Sequence, residues 1–257
     1  MDYELRDLLG VERRGFTGLF AYRLKDGDKA GLSYTIEDVT QLGVTSRHFG
    51  FEPFWETAVG LKQGSVRISS PFSFHQGEEL AWNYRPSAEA STQFLKSEKG
   101  DQSLVLRGRL ARGFFFGSQP QFTDRLFFRG IELRGFQQGA GGPWGSWEGS
   151  DIPFGSDTIA ACSIEYPYRV TKFLKAVPYL DLGWSEAARM PSVIDATNRL
   201  VRASTGIEWK LKVTEDLPQV GLGLDWNPLR LDPRVGIETG LAALQDPSFR
   251  VRFTLDQ

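Results

Sequence analysis

One cysteine, Cys162, and two histidines, His48 and His75, are all that the 257 residues offer of the side chains that form disulfides and hold zinc. A lone cysteine closes no internal disulfide, and no zinc-ligand spacing can be assembled from these three, so metal chemistry of the Cys/His kind is not expected. Long apolar runs are missing as well. No window approaches the roughly 18 to 20 consecutive apolar residues of a spanning helix, and the opening MDYELRDLLGVERRG is charged where a secretion signal would be apolar. Nor is there an excess of one charge: 30 Lys and Arg against 32 Asp and Glu give a net charge of −2. Basic residues are interleaved with acidic ones, which leaves no electrostatic footprint for nucleic acid. Aromatics, by contrast, are plentiful, with 19 Phe, seven Trp and seven Tyr in a chain that is 40% hydrophobic, too aromatic for a disordered polymer. One domain spanning residues 1–257 is expected. The mean hydropathy of −0.30 suits a soluble all-β protein and a membrane barrel equally, because a barrel hides its apolar residues at every second position.

Alternation is the dominant pattern. From Arg199 to Val213 one parity carries Val201, Ala203, Thr205, Ile207, Trp209, Leu211 and Val213, and the other Arg202, Ser204, Gly206, Glu208, Lys210 and Lys212. This is a period-two strand. Val220, Leu222, Leu224 and Trp226 repeat the pattern beyond the polar turn Thr214–Pro218, making a hairpin. Phe249, Val251, Phe253 and Leu255 give a terminal strand, Leu104 to Phe116 and Val66 to Phe74 two more, and less regular strands are readable at 16–24, 29–39, 49–61, 80–96, 157–169 and 173–184. Only Ser185 to Ala196 and the region near Leu241 could hold a short helical turn. The class is all-β and antiparallel, of about ten to twelve strands. Aromatics such as Trp55, Trp82, Tyr84, Tyr166, Tyr168, Trp184 and Trp226 fall near strand ends, where they are either core residues or the interfacial girdles of a membrane barrel.

A long loop at 118–156 interrupts the strands. Eight glycines fall between Gly130 and Gly155, yet Phe127, Phe128, Ile131, Leu133, Phe136, Trp144, Trp147 and Phe154 give it anchors that a flexible linker lacks. It is expected to pack. Gly139 to Trp144 does not match a dinucleotide-binding glycine pattern and no helix follows, so nucleotide binding is set aside.

The run Arg125-Leu126-Phe127-Phe128-Arg129-Gly130-Ile131-Glu132-Leu133-Arg134-Gly135-Phe136, followed by Gly139-Ala140-Gly141-Gly142-Pro143, resembles the sixth-loop motif of the BamA/TamA outer-membrane assembly barrels, the bacterial surface antigens, with shortened spacing. Leu174 to Trp184, Leu200 to Leu211 and Val220 to Trp226 are similar to three of that family's strands, and the likeness covers residues 103–257. It implies an up-and-down transmembrane β-barrel of about twelve strands here, with the Gly-rich loop folded toward the lumen. It also implies that Leu133, Arg134, Gly135 and Phe136 form the loop motif, with Arg134 paired to wall carboxylates. Asp181, Glu208 and Asp225, on the polar parity of three successive strands, are the candidate partners, since a planar guanidinium suits bidentate carboxylate pairing. The terminal strand with Phe249, Val251, Phe253 and Leu255 would border a first-to-last strand seam. The chain departs from the family in having room for fewer strands, no soluble POTRA repeats and no terminal aromatic. These departures lead one to expect a fragment of a longer gene product or a POTRA-free paralogue.

The resemblance implies a barrel in the bacterial outer membrane, in preference to an organellar one, that assists insertion or translocation of other polypeptides. Its partners would be the lipid bilayer and client outer-membrane or secreted proteins, with no covalent chemistry, cofactor, metal, nucleic acid or small-molecule substrate. A passive pore or translocator barrel is the second expectation, its wall carrying Arg67, Arg107, Arg109, Lys175, Arg202, Lys210, Lys212, Arg250 and Arg252 against Glu165, Asp181, Glu208 and Asp225. A third is a soluble β-barrel or sandwich enzyme, with a carboxylate pair drawn from Glu52, Glu56, Glu78 and Glu79 or a nucleophile at Ser185.

Overall fold

The computed structural model of the protein describes residues 12–24, 28–41, 44–59, 64–76, 80–95, 102–117, 125–129, 132–134, 144–147, 150–153, 155–187, 199–211, 219–232, 236–238 and 251–256. The strands are β1 (Glu12–Arg23), β2 (Lys29–Gln41), β3 (Val44–Val59), β4 (Gly64–Ser69), β5 (Phe72–Gln76), β6 (Leu80–Tyr84), β7 (Ser87–Phe94), β8 (Leu104–Arg112), β9 (Phe114–Phe116), β10 (Trp144–Trp147), β11 (Ser150–Pro153), β12 (Thr158–Glu165), β13 (Tyr168–Arg169), β14 (Leu174–Glu186), β15 (Arg199–Leu211), β16 (Gln219–Asp232), β17 (Gly236–Glu238) and β18 (Val251–Asp256). Sixteen of them form one sheet, antiparallel throughout, and β10 and β11 pair as a separate hairpin within the long loop.

Several short strands are pieces of longer staves. β4 and β5 both lie along β3, β6 and β7 follow them, and β8 and β9 follow those. The breaks fall at Pro71, Pro86 and Gly113, since proline has no N–H to give to a ladder. Across the breaks the pairing carries on through Ser70 N–H to Pro53 O at 3.0 Å, Arg85 N–H to Pro71 O at 2.8 Å and Arg112 N–H to Pro86 O at 3.1 Å. Merging these pieces, and β13 with β12, leaves eleven staves in chain order, the last made of β17 and β18 at opposite ends of β16. Among the described residues no ladder joins β1 to β18, so the described pairs make an open sheet. Ser185 and Glu186, where a helical turn was conceivable, extend β14.

The two faces of the sheet differ in an unusual direction. Leu110, Val201, Ile68, Leu182, Trp55 and Phe51 are exposed, Leu110 to 57%, whereas Ser46, Ser69, Asn83, Ser163, Asp181, Arg202, Ser204 and Glu208 are buried. Apolar side chains therefore line the exposed face, while the buried face carries these polar groups beside Val39, Ile159, Val177 and Tyr179. Two aromatic rungs run across adjacent staves on the outer face, Phe51–Phe72–Tyr84–Phe114 and Phe49–Phe74–Trp82–Phe116. Within them Trp82 stacks on Phe116 with centroids 3.9 Å apart and Phe72 on Tyr84 at 4.5 Å. Tyr166, Tyr168 and Phe173 are exposed at the opposite end of the sheet.

Candidate functional site

The loop after β9 returns over the inner face. Its base is fixed by a bridge in which Leu126 and Ser156 exchange backbone hydrogen bonds of 2.8 Å each. Beside the bridge Arg125 donates to Asp157 at 3.1 Å. Gly155 has φ of 69°, and a Cβ there would come within 2.7 Å of the Arg125 Cβ, so the turn requires glycine for both conformation and space. Leu126, Phe128 and Leu133 then bury themselves against Ala111, Ile159 and Ala161 of β8 and β12. Phe128 and Leu133 also press on the bare backbone of Gly183, where a Cβ would lie 3.1 Å from the phenyl ring and 3.3 Å from the leucine methyl. Burial of each such side chain is worth about 1.5–3 kcal/mol, which offsets the entropy lost in ordering the loop.

These anchors deliver Arg134, 1% exposed, to a rung of small polar residues. Ser163, Asp181 and Ser204 are register partners across β12, β14 and β15. Asp181 accepts hydrogen bonds from the Arg134 backbone N–H at 2.9 Å, Nε at 2.9 Å and Nη2 at 2.7 Å, and from Ser163 Oγ at 2.6 Å. Ser163 Oγ accepts from Nη2 at 2.8 Å, and Ser204 Oγ donates to the Arg134 carbonyl. Nη1 meets Glu165 at 3.0 Å and Glu208 at 3.3 Å, and the guanidinium lies 3.8 Å above the Tyr179 ring. Burial opposes the charge of Arg134, but its hydrogen bonds to Asp181 and the fields of Asp181, Glu165 and Glu208 outweigh it and raise the guanidinium pKa above its ordinary value. The group is a permanent cation. Arg107 stands 3.4 Å from Glu165 and Lys210 3.9 Å from Glu208, so three acids face three cations.

Asp181 and Glu208 both contact Arg134. Asp225 is the backbone partner of Glu208 in β15–β16, and its side chain lies outside the described residues. Gly135, Phe136 and Phe249 also lie outside them. Val251, Phe253 and Leu255 pair with Leu224, Leu222 and Val220 of β16, and no described ladder puts them against the first strand. Glu165, Ser163, Ser204 and Tyr179 were not foreseen as partners, although Glu165 shares the buried parity of β12 with Ser163. Of the carboxylates considered for an enzyme, Glu52 lies 3.6 Å from Arg67 and Glu56 3.1 Å from Lys29, while Glu78 and Glu79 are outside the described residues. Among the described residues no group of three His, Cys, Asp or Glu side chains is arranged to hold a metal ion. Below the loop a cavity of 220 Å³ is lined by Arg67, Arg107, Arg109, Arg129, Glu56, Glu89 and Glu132.

No protein-family model and no curated protein matches the chain. Solved structures do. The crystal structure of BamA from Haemophilus ducreyi lacking POTRA domains 1-3 aligns with 89% of this chain at a TM-score of 0.55 and 14% identity. At that identity the likeness is one of fold: the chain's antiparallel sheet is similar to that of the BamA structure. It spans 60% of that structure's length.

Proposed function

We propose that the chain forms the membrane-spanning wall of a bacterial outer-membrane barrel that helps insert or translocate other polypeptides without covalent chemistry. The observation that carries this reading is the reversal of faces, exposed Leu110 and Val201 against buried Asp181 and Arg202, because only an apolar solvent favours that arrangement. Dimensions support it. Phe114 lies twelve residue steps beyond Gln102, the bridge partner of Tyr168. That is about 40 Å of strand, or about 30 Å at the tilt of about 40° usual in membrane barrels, which matches the hydrocarbon thickness between two aromatic bands. The seated Arg134 supports the BamA-like branch of the reading, since it ties the loop to three staves of the inner wall. The bilayer and unfolded client chains are the partners in this view, with main-chain pairing at a free sheet edge as the means of engaging them.

Two measurements test it in order. Folding should require detergent or lipid, and a chain that stays folded and monomeric in plain buffer removes the membrane reading. In liposomes the protein should accelerate folding of a client barrel, and a null result there removes the assembly role while sparing the fold. A second reading, a passive pore, draws on the charged cavity beneath the loop. Planar-bilayer conductance of the wild-type protein would favour it.

A further inference from the structure

A second clamp holds the same loop, built from Glu89 and Arg109 of the wall and Arg129 and Glu132 of the loop. Glu132 accepts hydrogen bonds of 3.1 and 3.0 Å from Arg109 Nη1, and its Oε2 accepts the Arg129 backbone N–H at 2.8 Å. Arg129 reaches down to β7, where Nη1 and Nη2 take the two oxygens of Glu89, the former at 3.0 Å. Arg109 Nε stands 3.9 Å from Glu89, which closes a ring of alternating charge. The geometry is crosswise. Glu89 and Arg109 are register partners on β7 and β8, so the wall presents an acid and a base side by side. The loop presents a base and an acid three residues apart on one turn, closed by the Glu132 N–H to Arg129 O bond of 2.9 Å.

The two clamps sit in different media. The Arg134 and Asp181 side chains are 2% and 0% exposed; in the second clamp those of Arg109 and Glu132 are 13% and 10% exposed and those of Arg129 and Glu89 48% and 28%. Mobile ions screen the Arg129 and Glu89 pair far more than the Arg134 and Asp181 pair. We propose that Glu89 and Arg109 are positioning residues that hold Arg129 and Glu132 as a salt-releasable lid over the cavity all four line. Rising ionic strength frees Arg129 and Glu132 while Phe128, Leu133 and Arg134 stay seated on either side of them. The proposal deepens the seated-loop part of the reading above and does not depend on client insertion.

Each clamp contains a backbone amide that reports on it, Arg129 N–H on Glu132 and Arg134 N–H on Asp181. Hydrogen exchange resolved to single residues, on the full chain folded in detergent micelles, is therefore the test. Between about 0.01 and about 1 M salt the screening length falls from about 30 to about 3 Å. The Arg129 amide should exchange about fivefold faster at high salt while the Arg134 amide is unchanged. Glu89→Gln and Arg109→Gln should show the faster rate already at low salt and lose the salt response, and Arg109→Lys should restore most of it. If either glutamine variant fails to fold, the wild-type salt series decides alone. A salt-insensitive Arg129 amide, or Arg129 and Arg134 amides that accelerate together, would overturn the lid. Free exchange of the Arg134 amide in wild type at low salt would overturn the seated loop and the lid with it. Folding without detergent would remove the membrane reading and leave the lid standing.

Discussion

Arg134→Ala takes away the cation that touches Asp181, Glu165 and Glu208 and leaves their carboxylates in a site where the side chains are 0 to 7% exposed. Removing one member of a buried ion pair costs about 3–5 kcal/mol, because the partner stays behind desolvated. Two features bring the expected loss to the lower end. Arg107 and Lys210 still serve Glu165 and Glu208, and Ser163 still donates to Asp181. The loop can also lift and let water in, which caps the loss at the free energy of docking. A loss of about 3 kcal/mol lowers the docked-to-open ratio by about 150-fold. Arg134→Lys keeps the charge and the backbone N–H bond but surrenders the two-pronged grip on Asp181, and should cost about half as much. The assay is the rate of protease nicking in the loop, read beside heat-modifiable gel mobility. Wild type, Lys and Ala should nick in rising order while the sheet stays resistant. Equal nicking in all three would refute the claim that Arg134 seats the loop.

Other perturbations address the packing and the medium. Gly183→Val would drive methyl groups into Phe128 and Leu133, at about 1–3 kcal/mol of overpacking, and should open the loop without unfolding β14. Gly108→Ala is the control, since its nearest neighbour is an ordinary 3.7 Å away and nicking should not change. Leu110→Arg, within the outer apolar face, should cost up to about 2–4 kcal/mol in a bilayer, against about 0–1 kcal/mol for Tyr168→Arg at its rim. Urea titration of the liposome-folded protein measures the difference, and equal costs would contradict a lipid-facing Leu110.

Much of this was legible because strand parity is a local property. Arg199 to Leu211 alternates cleanly, and the structure keeps its two faces apart, with Val201 56% exposed and Ser204 2%. Parity does not say which face is wet, since that depends on the solvent. Asp181 and Glu208 could be assigned to Arg134 because they follow the loop on successive strands of like parity. Glu165 could not, because its reach to Arg134 depends on the register of β12 against β14, where it stands opposite Tyr179. The stretches 80–96 and 66–74 each read as one strand, whereas Pro86 and Pro71 divide them, and neither alternation nor composition reveals that the ladder survives the break. Arg129 and Glu132 were hidden for another reason: a turn within a Gly-rich loop has no period from which to infer its partners. Closure is a long-range pairing of first and last strands, and nothing in either strand's own pattern encodes it.

Charge balance at the Arg134 site leads to a last expectation with an unusual sign. Asp181, Glu165 and Glu208 are matched by Arg134 from the loop and by Arg107 and Lys210 from the wall. The wall cations are more exposed than Arg134, with side chains 42% and 24% accessible, and they partly neutralise the acids whether or not the loop is docked. They therefore compete with the loop for the same negative potential. Replacing both by glutamine should leave the empty site more negative, hold Arg134 more tightly and slow nicking of the loop. The same change leaves two carboxylates less compensated in the folded sheet, so the thermal midpoint should fall as the loop becomes better protected. If the wall cations instead steady the acids for docking, Arg107→Gln with Lys210→Gln would nick faster than wild type, and the competition argument would be wrong.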